Sequence, residues 1–112
     1  MEDLLTRIRR FRDERDWKQF HDPKSLAASI VIEAAELLEE FQWDDKAQAE
    51  RRAAENRESV ADEMADVAIY LYELADILQI DLAAAIHAKL DKNERKYPVE
   101  KARGVSTKYD KF

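Results

Sequence analysis

Residues 30–43 read IVIEAAELLEEFQW. Apolar side chains at Ile30, Val31, Ile32, Leu37, Leu38 and Phe41 would wrap most of a helix surface, the pattern of a helix enclosed by others. Two carboxylates, Glu33 and Glu36, nonetheless stand inside the run. An unpaired charge in apolar surroundings costs more than the burial of its neighbours returns. Acids three residues apart on a helix project from nearly one face, so the stretch needs something to neutralise a pair.

The same spacing recurs at Glu63 and Asp66 in ESVADEMADVAIYLYEL, residues 58–74. Two adjacent antiparallel helices would bring these four carboxylates to one point. Such a group repels itself unless a cation neutralises it. Zinc and di-iron sites favour His or Cys beside carboxylate, but this chain has no cysteine and no His three residues after any of these acids. Oxygen-only ligands favour a hard ion, Mg²⁺ or Mn²⁺, which completes its shell with water and phosphate. Glu40 and Glu73 extend the two acidic stripes as supporting groups or further ligands. The competing reading is a solvated acidic face on a non-catalytic helical interaction module, since Glu-rich helices produce this spacing by chance.

Working outward, 112 residues with one Gly and two Pro fit a single domain over 1–112 built from long helices. The periodicity predicts helices over 2–15, 23–42, 58–78 and from an Asp81 cap to Lys96. The charged, Ala-rich KAQAERRAAENRES reads as a surface helix or a partly ordered connection, with Asp44 and Asp45 as caps. The fold class is therefore all-α, an antiparallel four-helix-bundle-like protomer with a core of about 2–97 and an irregular tail over 98–112. A chain this short buries only about two-thirds of its unfolded surface and gains from assembling as a helical homo-oligomer.

Net charge is −6, but residues 87–112 carry eight Lys or Arg against four Asp or Glu. The acidic remainder excludes a nucleic-acid polymer as the main partner, while the basic tail reads either as a solvated segment or as one suited to a small anion beside a metal. No apolar run reaches the roughly 18–20 residues of a membrane span, and the amphipathic start is unlike a signal peptide, so no membrane partner and a cytoplasmic setting are expected.

Glu33-x-x-Glu36, followed after 26 residues by Glu63-x-x-Asp66, resembles the metal motif of the MazG-like all-α NTP pyrophosphohydrolases. RDWKQFHDP (15–23), EFQW (40–43), DEMADVAIYL (62–71), KLDKNERKYP (89–98) and ARGVSTKY (102–109) resemble its dCTP pyrophosphatase-like branch. One departure is Ala34-Ala35, where the family often carries glycine; a helix tolerates alanine better. The resemblance implies Mg²⁺-dependent hydrolysis of a nucleoside triphosphate to its monophosphate and pyrophosphate. dCTP or 5-modified dCTP is the first expectation, with dUTP or dTTP as alternatives. It also implies a homotetramer, a dimer of dimers, with Glu33, Glu36, Glu63 and Asp66 as metal ligands. Glu33 or Glu36 is then also the catalytic general base.

Trp17 and Trp43 flank joints between helices; taken alone they read as core packing, and the resemblance makes them stacking faces for a base. The resemblance adds His21 at the base edge, and Tyr70, Lys89, Asn93 and Tyr97 as substrate contacts. Lys89, Asn93 and Lys96 share one helix face at spacings of four and three, a surface stripe on spacing alone and, with the resemblance, a set suited to a triphosphate. Arg103, Lys108 and Tyr109 match the tail motif, and His87 is expected to be structural.

Overall fold

The computed structural model describes residues 2–111, and these form helices and turns with no strand. They divide into two compact units, one ending at Gln79 and one beginning at Ile80.

The first unit holds α1 (Leu4–Glu14), α2 (Pro23–Glu39), α3 (Lys46–Glu55) and α4 (Arg57–Ile77). Asp3 caps α1, accepting from the Thr6 N–H at 2.8 Å. The helix ends in a Schellman turn. Trp17 N–H donates to Arg12 O at 3.0 Å and Asp16 N–H to Asp13 O at 3.1 Å, with Asp16 at φ 54°. That turn delivers Trp17 into a short 3-10 segment, Lys18–Phe20. Asp22 then caps α2, accepting from Ser25 N–H at 2.9 Å, with Pro23 inside the first turn, where its missing N–H costs nothing.

α2 stops at Glu39, three residues short of the expected 42, because the chain tightens into turns through Trp43. The charged, Ala-rich segment that follows is an ordered helix rather than a loose connection. Asp45 and Gln48 form a reciprocal capping box at the start of α3. Asp44 is not a cap; it accepts from Arg52 Nε at 2.7 Å and Nη2 at 3.0 Å.

α2 and α4 are the central pair, with α1 and α3 also packed on α4. Their direction follows from which side chains meet. Ser59 reaches Glu40, Glu63 reaches Glu36, Tyr70 reaches Ser29, and Glu73 reaches His21, just before α2. Numbers that rise along α4 fall along α2, so the helices are antiparallel. Steps of four and three on each helix keep these residues on one face, giving a polar seam between the two. Apolar packing lies beside it: Leu26 is 2% exposed and Ile8 and Ala75 are buried. Sealing a leucine this completely stabilises the fold by about 2 kcal/mol.

α1 is tied to α4 by charge. Arg12, 2% exposed, donates from Nη1 to Asp76 Oδ2 at 2.8 Å and from Nε to Asp13 Oδ1 at 2.8 Å; Arg9 Nε donates to Asp76 Oδ1 at 2.8 Å. Both arginines hold the Asp76 carboxyl below its usual range, Arg9 most strongly, while partial burial opposes them.

In the second unit, α5 (Leu82–Lys96) starts at Asp81, which accepts from Ala84 N–H at 3.0 Å, as expected. The tail is less irregular than its sequence suggests. One helical turn, α6 (Val99–Ala102), precedes Gly104 at φ 79°, and a 3-10 segment spans Tyr109–Lys111. No helix among the described residues is long and apolar enough to cross a membrane.

Candidate functional site

The middle of the α2–α4 seam is carboxylate. One oxygen from each of Glu33, Glu36 and Glu63 lies within 4.8 Å of the other two. Asp66, the fourth acid of the motif, is exposed and outside that group, although its charge acts on both Glu33 and Glu63. The Glu33 carboxyl is pushed above its usual range first by a hydrogen bond shared with Glu36, then by burial and by the charges of Glu36, Asp66 and Glu63. Burial comes first for Glu63, followed by the charges of Glu36 and Asp66. Glu33 Oε2 and Glu63 Oε2 are buried with no hydrogen-bond partner.

These features fit a divalent cation. The donors are all hard oxygens, two of them unsatisfied, and carboxyls pushed above their usual range by one another mark a place where positive charge is wanted. An open cleft of about 360 Å³ adjoins the group, lined by Glu36, Glu39, Glu40, Arg52 and Glu63. Glu40 accepts from the Ser59 hydroxyl at 2.6 Å, so it braces the seam's end.

One helical turn beyond Glu33 and Asp66 the seam changes character. A cleft of about 210 Å³ is lined by Trp17, Phe20, His21, Ser25, Leu26, Ser29 and Tyr70. Trp17 stands edge-on to Phe11 at 5.7 Å between centroids. Burial raises the Tyr70 phenol, as do the charges of Glu33, Glu73 and Asp66, while a hydrogen bond with Ser29 opposes them. Tyr70 thus sits between the acid group and the far end of the seam. At that end Glu73 is 5% exposed, with Oε2 at 3.7 Å from His21 Nε2. It extends the seam without joining the acid group expected to hold the ion.

The cleft therefore brings together Trp17, His21 and Tyr70 of the residues expected to contact substrate. Trp43 is elsewhere, 87% exposed on the turn after α2. In the second unit, Lys89 is exposed and Asn93 half-buried on α5, and Lys96 Nζ sits 5.0 Å above the Tyr109 ring. Tyr97 ends α5 and meets Tyr109 edge-on at 6.0 Å, and Arg103 ends α6. His87 is exposed rather than packed. Ser25 and Ser29 were not anticipated in the cleft; their signal was the same four-and-three stepping back from Glu36 through Glu33.

The chain is 39% identical over 111 residues to dCTP pyrophosphatase 1 of Bos taurus, covering 97% of this chain and 66% of that protein. It is 40% identical over 111 residues to dCTP pyrophosphatase 1 of Homo sapiens, covering 97% and 65%. The chain thus spans just under two-thirds of the length of the curated relatives it matches. A pyrophosphatase structure from Archaeoglobus fulgidus superposes with a TM-score of 0.82 at 47% identity, covering 85% of this chain and 89% of that one. The MazG-like family model matches residues 28–112, which include all four acids of the motif, and the chain belongs to that family.

Proposed function

We propose that this chain is a Mg²⁺-dependent nucleoside triphosphate pyrophosphohydrolase that prefers dCTP or 5-modified dCTP and controls the cytoplasmic nucleotide pool, Mn²⁺ being an acceptable substitute. The observation that carries the reading is the convergence of Glu33, Glu36 and Glu63 beside an aromatic cleft on the same helix pair. The naming of its relatives as dCTP pyrophosphatases supports the substrate class.

Glu33, Glu36, Glu63 and Asp66 would hold the ion. A bound divalent cation supplies charge neutralisation at the phosphate oxygens. Glu33 or Glu36 takes a proton from the attacking water. The water oxygen bonds to the α-phosphorus, the bond from that phosphorus to the bridging oxygen breaks, and pyrophosphate leaves with the electron pair. Trp17 stacks on the base, and His21 and Tyr70 offer polar atoms to its edge. Trp43, Lys89, Asn93, Lys96, Tyr97 and Arg103 complete substrate binding, Lys and Arg countering the triphosphate charge.

Assembly as a dimer of dimers is part of the same reading. Val31 and Ile32 on α2 are 68% and 58% exposed, with Leu38 and Met64 also open. Apolar side chains in such number on the central helices suit a surface covered by further copies.

The test is a panel of NTPs and dNTPs offered to purified protein with Mg²⁺, quantifying monophosphate and pyrophosphate. The expected result is equimolar monophosphate and pyrophosphate, fastest from dCTP. Release of orthophosphate with a diphosphate, or no turnover on any nucleotide, would overturn the reading.

A further inference from the structure

Glu73 is a buried acid with no part in the chemistry just described. Its Oε2 lies 3.7 Å from Nε2 of His21, a histidine that lines the aromatic cleft. His21 is itself nearly sealed, its side chain 10% exposed, and its other ring nitrogen, Nδ1, is buried with no hydrogen-bond partner. An unpartnered polar atom of this kind on a cleft wall calls for a ligand group or a bound water. The distance to Glu73 is longer than a hydrogen bond. In dry surroundings a carboxyl this near still biases which ring nitrogen carries the hydrogen.

We propose, resting on the nucleotide reading above, that Glu73 is a positioning residue for base recognition: it holds His21 in one tautomer through Nε2 and so fixes Nδ1 as a single-purpose hydrogen-bonding atom for the base. The surrounding groups favour this. Burial disfavours charge on both partners, raising Glu73 and lowering His21, and the Arg12 guanidinium on α1 lowers both. Tyr70 on α4 adds a phenol that burial keeps protonated. A neutral imidazole has one donor nitrogen and one acceptor nitrogen. Locked in one form, Nδ1 accepts one pattern on a base edge and rejects its reverse. Cytosine and uracil differ by that reversal, exchanging donor and acceptor at adjacent edge positions. The ligand class is therefore a pyrimidine whose edge matches the locked nitrogen.

Two measurements test this. Long-range ¹H–¹⁵N spectra of the imidazoles in the free protein should show one dominant tautomer for His21 and a solvent-like mixture for the exposed His87, an internal control. Glu73→Leu should move His21 to a mixture, while Glu73→Gln, which keeps a hydrogen-bonding group of the same shape, should not. In steady-state assays Glu73→Leu should lower the dCTP-to-dUTP ratio of kcat/KM by about tenfold, mainly through KM, the effect of one lost hydrogen bond. Added to His21→Ala, it should cost nothing further. A mixed tautomer in the unmodified protein, or an equal loss from Glu73→Leu with and without His21, would overturn the proposal. Should Glu73→Leu fail to fold, the spectrum of the unmodified protein and the Gln variant still decide it. Absence of pyrophosphate release by the unmodified protein would instead fault the nucleotide reading, which the spectra do not depend on.

Discussion

Glu33 on α2 and Glu63 on α4 approach one another across the helix seam, each with a buried Oε2 that nothing among the described residues satisfies. The two helices that form the centre of the fold thus meet, at this level, through groups that repel. The site is costly to the free chain, and a bound cation reverses the sign of that cost.

Without a divalent ion, stability should fall as pH rises. Both Glu33 and Glu63 have folded values above the ordinary 4.5, so they hold their protons more tightly when folded. Their contribution is complete below about 4.5 and is lost as pH climbs through the raised folded values. Mg²⁺ should abolish that decline. Thermal melts from pH 4 to 8, with and without the metal, would reveal it, and parallel curves would count against the site.

Glu63→Gln removes one repelling charge and one ligand. The variant should melt no lower than the unmodified protein in chelator, yet lose a Mg²⁺-induced rise in Tm on the order of 5 °C. Turnover should vanish while the circular dichroism stays helical. Turnover retained in both Glu63→Gln and Glu36→Gln would remove these acids from the mechanism.

Asp76→Asn breaks the tie between α1 and α4 and leaves Arg12 buried with Asp13 alone. Destabilisation of about 3 kcal/mol is expected in denaturant melts at pH 7. The sign with pH is opposite to that of the metal acids. Asp76 has a depressed folded value, so its contribution is present above 3.8 and fades as pH falls through that depressed value. The difference between variant and parent should therefore shrink in acid.

Trp17→Ala and Trp43→Ala should separate cleanly. Trp17 lines the cleft and touches Phe11, so its loss should cost about 1 kcal/mol and raise KM. Trp43 makes no such contact and should leave the stability of an isolated protomer within about 0.5 kcal/mol. A change in sedimentation together with KM in Trp43→Ala would place it where a second copy completes the substrate site.

Much of this was legible in local sequence. Helix periodicity, the Asp22-Pro23 start of α2 and the Asp81 cap of α5 all express short-range rules that the structure obeys. The paired acids were legible because three-residue spacing on a helix leaves little choice of direction. What was not legible depends on contacts between segments. Asp44 looked like a cap, but Arg52, eight residues on, takes both of its oxygens. Glu73 looked like one more acid in a stripe, and only the fold of the 3-10 segment before α2 reveals the histidine that faces it. Ser29 steps back from Glu33 by four, but only the antiparallel register puts it opposite Tyr70.

Because the acid group and the aromatic cleft share two rigid helices, the gap between them is a ruler. Asp66 and Tyr70 are four residues apart on one continuous α4, as are Ser29 and Glu33 on α2, about 6 Å of axial rise in each case. No loop intervenes to stretch or shorten that interval. A nucleotide seated as proposed is measured from its base end, so the phosphorus delivered to the acids is the one nearest the sugar. The number of phosphates trailing beyond it does not alter the measurement. In that seating, helical pitch would decide where the molecule is cut.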